Sequence, residues 1–363
     1  MDTNAIAGAL LHDLAAVQTV REKTRAFDRA ARTILQLDDP LESLVGPDGT
    51  LQKIAGIGPS SLRVIVEVLE TGGSPTVEQA VASSPKRGEI QRSRDARTNF
   101  LSRAAVVRIL ADDSLDGPSI DDYHGDFQMH SEWSDGADSL LVMATACLER
   151  GYQYCAITDH SHGLRIAGGL SASDLARQHA EIDQVNRELD GRFRLLKGVE
   201  ANLAADGSLD LTADDLRSLE IVVAAPHAAL REAANHTARI VRAVQTPGVH
   251  ILGHPRGRKL GSRAGLVADW EVVFRHAAKT GVAIEIDGDP TRQDLDHALA
   301  RQAADAGCFI ALDSDAHNTH ELRYADTAIA HARLAGIQTK LIVNCWPLEL
   351  VLEWSRARQY SSG

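Results

Sequence analysis

Cysteine is scarce in this 363-residue chain, and its four cysteines, Cys147, Cys155, Cys308 and Cys345, show no paired spacing. That excludes a disulfide framework and a cysteine-type zinc site, and it suits reduced thiols in a cytoplasmic protein. No apolar run approaches the roughly 18–20 residues that a membrane span needs, so no membrane partner is expected. The opening stretch MDTNAIAGALLHDLAAV has acids and no basic segment ahead of its apolar residues, so it does not read as a secretory signal. Positive charge is short as well: 38 Lys and Arg face 50 Asp and Glu. The deficit is uneven, because residues 1–110 hold 14 basic against 13 acidic side chains. An acidic body collects cations, and a near-neutral, locally basic head suits a second role on the same chain.

What is present is globular, with 44% hydrophobic and 24% charged residues and length enough for two or three domains. Apolar residues recur at helical spacing in AIAGALLHDLAAV and FDRAARTILQL, so residues 1–45 read as helices. DDPLESL opens another, with Asp39 as N-cap and Pro40 in the first turn. LQKIAGIGPSSLRVIVEVLETG gives two short helices around a Gly-Ile-Gly turn. Turn formers at 71–85 mark a boundary. Residues 86–110, with seven Lys and Arg against two acids, read as a basic helical connector.

From residue 126 the rhythm changes. The strand candidates DFQMH, YCAITDH, RLLKGVEANL, IVVAAPH, VHILGHP, VAIEIDG, CFIALDSD and QTKLIVN are interspersed with amphipathic helices such as LARQHAEIDQVNREL. A βα repeat of this kind favours a parallel barrel, which gathers its functional residues at the C-terminal strand ends. His130, His160, Glu200, His227, His254, Asp315 and His317 fall at those ends. One histidine at a strand end says little; five successive strand ends in His or Glu, followed by Asp-x-His, are a poor fit to chance. Imidazole and carboxylate together suit zinc, manganese or iron. The candidates outnumber the ligands of one tetrahedral ion, so two or three divalent transition metals are expected, an arrangement that favours hydrolysis of a phosphate ester.

These motifs carry a resemblance. Through GDFQMHSEWSDG, AITDHS, KGVEANL, VVAAPH, GHPRGR, EIDGDPTRQDL and LDSDAH, residues 126–350 are similar to the PHP (polymerase and histidinol phosphatase) domain, in particular that of bacterial family-X DNA polymerases. The resemblance implies an α/β fold, a distorted (β/α)7 barrel, with a three-metal site. It places His130, Glu200 and Asp315 on one metal; Glu200, His227 and His254 on a second; and Asp135, His160 and His317 on a third. Gln128 stands where most members have histidine. Two residues before His130 it shares a strand face with it, as a weak amide ligand or a hydrogen-bonding neighbour. Glu200, His227 and Asp315 are the catalytic candidates, joined by Arg256 and Arg292, whose guanidinium groups suit phosphate oxygens. Glu285 and Asp287 alternate on one strand, to orient ligands or to hydrogen-bond in the core.

In the head, IAGIGPSS matches the helix-hairpin-helix turn, where glycines let backbone amides approach a DNA phosphate at a helix N-terminus. Gly56, Ile57, Gly58 and Ser60, with Lys53 and Arg63, are the candidate DNA contacts. Residues 1–75 resemble the N-terminal helical domain of the same polymerases, but SSLRVIVEVLETGG has no lysine for Schiff-base lyase chemistry,. The roughly 50 residues between head and barrel leave no room for a polymerase palm. The expected organisation is an all-α helix-hairpin-helix DNA-binding domain at 1–75, a basic connector at 76–120 and a PHP domain at 121–363. The expected function is a metal-dependent phosphoesterase on DNA ends or backbone, a 3′→5′ exonuclease or related end-processing hydrolase without polymerase activity. The alternatives are a small-molecule phosphatase, such as histidinol-phosphate phosphatase, and a non-catalytic DNA-binding protein.

Overall fold

The computed structural model describes residues 1–232 and 234–359. Its contacts divide the chain into two units, Met1–Asp112 with Arg258–Ala264, and Asp113–Gly257 with Gly265–Gly363.

The first unit is helical: α1 (Thr3–Val17), α2 (Arg21–Leu35), α3 (Pro59–Thr71), α4 (Pro75–Ala82), α5 (Arg87–Ala96) and α6 (Arg103–Leu110). Leu10, Leu11 and Leu14 on α1 join Phe27, Ala31 and Ile34 on α2 and Val64, Ile65 and Val68 on α3 in one core. The turn-rich stretch expected to be a boundary is instead helix α4. Ser74 caps it, accepting from Val77 N, and Glu67 on α3 accepts from Thr76 N at 3.1 Å and from the Ser74 and Thr76 hydroxyls. Residues 86–110 of the connector pack with this unit, and four of their seven basic side chains are engaged inside it. Buried Asp13 takes Arg94 at 2.7 Å and Arg97 at 2.6 Å. Arg103 meets Asp38 at 3.1 Å, and Lys86 Nζ donates to the Ala16 carbonyl at 2.8 Å.

Two local elements depart from the sequence pattern. DDPLESL forms only a 3-10 turn at Leu41–Leu44, and its N-cap is Pro40 rather than Asp39. Asn4 replaces the cap: its side chain accepts from Leu41 N at 2.8 Å and donates to the Asp39 carbonyl at 3.0 Å. The LQKI stretch before the Gly-Ile-Gly turn is not helical, and Leu51 pairs with Val45 in an antiparallel bridge instead.

The second unit is a (β/α)7 barrel. Its strands are β1 (Gly125–Asp126), β2 (Tyr154–Ile157), β3 (Arg194–Leu203), β4 (Ile221–Pro226), β5 (Ile251–Leu252), β6 (Ala283–Asp287) and β7 (Ile310–Asp313). All neighbours pair in parallel, in chain order. The helices between and after them are α7 (Leu140–Glu149), α8 (Ala172–Glu188), α9 (Ala213–Arg217), α10 (Thr237–Gln245), α11 (Trp270–Thr280), α12 (His297–Asp305), α13 (Ala325–Ala335) and α14 (Leu348–Gln359). Phe127, Tyr154, Leu196, Ile221, Ile251 and Ala283 form an apolar core with Trp346 and Trp354 from the C-terminal segment.

The eighth strand candidate, QTKLIVN, is two 3-10 turns with a single bridge, Ile342 to Ile310. Its last residue explains why. Asn344 inserts its amide at the open seam between β1 and β7, donating to the carbonyls of Gly125 and Leu312 at 2.9 Å each and accepting from Leu312 N at 2.7 Å. Above it, the chain after β1 meets the chain after β7 through a Met129–Ala316 bridge, with His130 N donating to the Ala316 carbonyl at 2.8 Å. No helix among the described residues is long and apolar enough to cross a membrane.

Candidate metal centre

The strands end at one mouth of the barrel, so short extensions from β1, β2, β3, β4, β5 and β7 converge. Glu200 on β3 is 1% exposed, and its two oxygens face different partners. Oε1 lies 2.9 Å from His254 Nε2 and 3.1 Å from His227 Nε2. Oε2 lies 3.0 Å from His160 Nδ1 and 3.4 Å from His130 Nε2. His130 Nε2 is also 3.2 Å from Asp315 Oδ1. Its other ring nitrogen faces Asp135 Oδ1 at 3.8 Å, where His160 Nε2 and His317 Nε2 each come to 3.5 Å. The His130 ring is stacked with His160 at 4.5 Å and with His317 at 4.4 Å.

Three overlapping groups result, each with its donor atoms within 4.8 Å of one another: His130, Glu200 and Asp315; His160, Glu200 and His227; and His130, Asp135, His160 and His317. The first has the composition that the sequence resemblance implied. In the second, His160 stands with Glu200 and His227, while His254 shares the Glu200 oxygen that His227 faces. In the third, His130 joins the expected set. The resemblance gave each histidine one metal; the fold turns both ring nitrogens of His130 and His160 toward carboxylates.

The donors suit divalent transition metals. Among the described residues, His130 Nδ1, His227 Nδ1 and His254 Nδ1 are buried without a hydrogen-bond partner, and His160 Nδ1, Glu200 Oε2, His227 Nε2 and Asp315 Oδ2 face polar groups of the site at 3.0–3.1 Å without a well-formed hydrogen bond. Buried polar atoms are otherwise almost always paired, and metal ligation would satisfy this set. His317 is oriented for such a role, since its Nδ1 lies 2.8 Å from the Asp315 carbonyl oxygen and its Nε2 is turned to the site,. Two of the candidates carry backbone strain, His254 with φ +23° and Asp315 with φ +54°. Left-handed conformations at non-glycine residues cost about 1–3 kcal/mol each and gather at functional sites.

Electrostatics sort the carboxyls. Burial would raise Glu200, Asp135 and Asp315, but the facing histidines, and for Asp315 first the Arg292 guanidinium, hold all three well below the ordinary carboxylate range. They stay anionic, as metal ligands must. The neighbouring acids go the other way. Burial first, then like charge, pushes Asp126 up to about 8 and Asp313 up to about 6, and drives Glu285 and Asp287 far upward. Glu285 accepts a hydrogen bond from the backbone N–H of strained His254. Arg292 Nε lies 3.1 Å from Asp315 and 3.4 Å from Asp287.

Arg256 does not take the expected place. Its Nε meets Asp294 at 3.0 Å and its Nη2 meets Asp296 at 2.9 Å, so the edge expected to clamp a phosphate is bound to carboxylates. Arg256 instead ties the loop after β5 to the loop after β6. Arg258 donates to the Ala96 carbonyl at 3.0 Å and lies over Phe100 within the helical unit. Sequence reasoning missed Asp159, which accepts from Ser131 N at 2.8 Å and from Ser131 Oγ, Ser134 Oγ and Gln178 Nε2 at 2.5 Å each. It fixes the loop between His130 and Asp135, and its only signal was its place beside His160. Gly136 closes that loop, since a Cβ there would come within 2.6 Å of the His130 carbonyl.

Gln128 is fully buried, and neither amide atom has a hydrogen-bond partner among the described residues. A neighbourly hydrogen bond therefore does not explain it. An unpaired buried amide costs about 1–3 kcal/mol, which a ligand contact would offset. Gln128→His is expected to tighten metal retention about tenfold, because imidazole is the stronger donor. Chelator competition measures this, and unchanged retention would remove Gln128 from the site.

No family model matches the chain. It is 39% identical over 238 residues to the DNA polymerase/3′-5′ exonuclease PolX of Bacillus subtilis, a match covering 65% of this chain and 42% of that protein. The chain therefore spans less than half the length of PolX. It is 31% identical over 214 residues to a probable phosphatase of Citrobacter koseri, covering 55% of this chain and 81% of that protein. A histidinol phosphate phosphatase from Lactococcus lactis, solved with zinc, L-histidinol and phosphate, matches 58% of this chain and 94% of its own at 17% identity and a TM-score of 0.44. With the barrel and its ring of strand-end ligands in view, the extent of the Citrobacter match decides the classification: the chain belongs to the PHP phosphoesterase family.

Proposed function

We propose that this chain is a metal-dependent phosphoesterase of DNA ends, a 3′→5′ exonuclease or a related end-processing hydrolase, without polymerase activity. The observation that carries the DNA assignment is the exposed turn ahead of α3. Gly58 there has an ordinary φ of −88°, and among the described residues a Cβ would meet nothing within 4 Å. Neither backbone nor packing calls for glycine, whereas close approach of a phosphate does. Gly58 is also the N-cap of α3 and makes no side-chain cap, so the helix N-terminus is open to an anion. Ile57 packs on the helical core and fixes the turn. Ser60, Lys53 and Arg63 are exposed around it. The similarity to PolX supports the same reading. The basic residues after 86 contribute less than their number suggests, since Arg94, Arg97 and Arg103 are committed to internal carboxylates.

Two or three zinc, manganese or iron ions would be held by His130, Asp135, His160, Glu200, His227, His254, Asp315 and His317, with Gln128 beside them. Such ions activate water near neutral pH and stabilise the attacking and leaving oxygens of a phosphate displacement. The chain's own part is to keep Asp135, Glu200 and Asp315 anionic and the donors aligned. Arg292 keeps Asp315 ionised and brings positive charge to the side where a phosphate would dock. Arg256 holds the two loops that carry His254 and Arg292 in register.

A second reading, a small-molecule phosphatase, is favoured by the probable phosphatase of Citrobacter koseri, 81% of which is covered by 55% of this chain. A panel of 3′-ended DNA, 3′-phosphate ends, abasic ends and histidinol phosphate, run with each metal, separates the two. Intact DNA beside turnover of histidinol phosphate would sink the first. Gly58→Ala is expected to weaken DNA binding about tenfold, roughly 1.4 kcal/mol, while hydrolysis of a small phosphate ester keeps its wild-type rate. Filter binding and a chromogenic ester assay on the same protein check both halves.

A further inference from the structure

We propose that a groove at the mouth of the barrel, beside the candidate metal centre, is a stacking subsite for the base of the terminal nucleotide. This rests on the DNA-end reading above. The groove has a volume of about 400 Å³ and is lined by Glu132, Trp133, Gly168, Leu170, Arg177 and Glu181, among others. Its walls come from the loops that carry the candidate ligands. Trp133 lies between His130 and Asp135 in the chain. Gly168 belongs to the loop after His160, and a Cβ on it would stand 3.2 Å from the Ser134 carbonyl oxygen.

The lining is aromatic and acidic, which decides what it takes. Trp133 packs on the core of Leu170 and Leu175 and donates its indole N–H to Glu181 at 2.9 Å, so the ring is held in one plane. The Arg177 guanidinium sits 5.3 Å from the ring centroid, and that side chain is 70% exposed. An indole–guanidinium layer open to solvent is a surface on which a flat heteroaromatic ring stacks. Glu132, Glu181 and Asp174 surround this surface. Asp174 is committed to Arg177 and to the Ser171 cap and one Glu181 oxygen holds the indole, so Glu132 and the other Glu181 oxygen are what repel a phosphate and accept hydrogen bonds from ring or exocyclic N–H groups. The phosphate of a nucleotide is thus directed to the cationic centre and its base to the groove.

The metal-loaded protein tests this in two ways. Removal of a 3′-terminal nucleotide is compared with removal of an abasic 3′ residue on the same strand. Wild type is expected to favour the base-bearing end about tenfold in kcat/KM, expressed in KM, given what one stacked base contributes. Trp133→Leu and, with less risk to the fold, Arg177→Ala are expected to bring that ratio toward one. Tryptophan emission is then titrated with deoxyadenosine, which has no phosphate to engage the metals. Saturable quenching is expected, and it should disappear in Trp133→Leu. A wild-type ratio of one, a ratio unchanged in both variants, or quenching that survives Trp133→Leu overturns the subsite. If no DNA end is cut, the DNA-end reading falls, and the deoxyadenosine titration alone decides the groove. Quenching by L-histidinol but not by deoxyadenosine would assign it to a small amino alcohol and overturn the proposal.

Discussion

Glu200→Ala is expected to lower kcat about a thousandfold or more, roughly 4 kcal/mol of barrier, and to reduce bound metal by more than one ion per chain. Among the described residues, Glu200 is the one carboxylate whose two oxygens are turned to different histidine pairs, His227 with His254 and His130 with His160. Removing it takes one anionic donor from two of the three groups at once and leaves four imidazoles facing a void. Glu200→Gln keeps the shape and loses the charge, so it separates the two contributions: it should retain the fold and bind metal weakly. Elemental analysis and steady-state kinetics on both variants check this. Wild-type metal content with activity within tenfold of normal would show that Glu200 bridges nothing.

Metal affinity is expected to rise steeply with pH. In the metal-free site, burial lowers His160, but Glu200 and Asp135 outweigh it and raise the ring to about 10. His317, beside Asp135 and Asp315, is raised to about 9. Both are above the unfolded value near 6.5, so both rings are protonated at neutral pH until a metal displaces the protons. Each displaced proton makes affinity rise about tenfold per pH unit. With two, affinity should gain up to about a hundredfold per unit below pH 9 and level off above pH 10. The sign for stability is opposite. A raised folded-state pKa stabilises the metal-free fold fully below about 6.5, and that contribution is lost as pH climbs through 9 and 10. The metal-free protein should therefore unfold more readily at alkaline pH, where the loaded protein is most secure. Isothermal titration across pH and thermal unfolding with and without chelator measure the two trends, and a flat affinity profile would contradict the proton-occupied site.

The barrel was legible because period and chemistry agreed. RLLKGVEANL is strand from its first residue to its last, and its glutamate sits among the histidines that other strand ends supply. QTKLIVN misled for a physical reason: its apolar alternation fits a strand, yet the backbone donors it would need at the seam are replaced by one side chain, Asn344. The DDPLESL stretch failed likewise, since Asn4, distant in sequence, satisfies the backbone of Asp39 and Leu41 that a helix cap would have used, and LQKI is drawn into a bridge with Val45. Arg256 shows a second limit. Its spacing after His254 was visible, but the partners that occupy it, Asp294 and Asp296, lie some forty residues on, and charge pairing over that range has no local signature. Strain at His254 and Asp315 was invisible for the same reason, because φ is imposed by the fold around those residues.

The seam gives the metals a mechanical meaning. Backbone pairing runs in order from β1 to β7 and does not join the two ends as strands; the Asn344 amide, one bridge and side-chain bonds such as Phe127 N to Asp313 hold the hoop shut. His130 stands on one lip of that opening and Asp315 on the other, 3.2 Å apart. An ion held by His130, Asp315 and Glu200 on β3 would act as a rivet through the joint. Without the ion, one imidazole–carboxylate hydrogen bond is what His130 and Asp315 contribute across that line of the wall. The ring should then part along β1 before it yields elsewhere, with the Phe127–His130 amides the first to exchange their hydrogens.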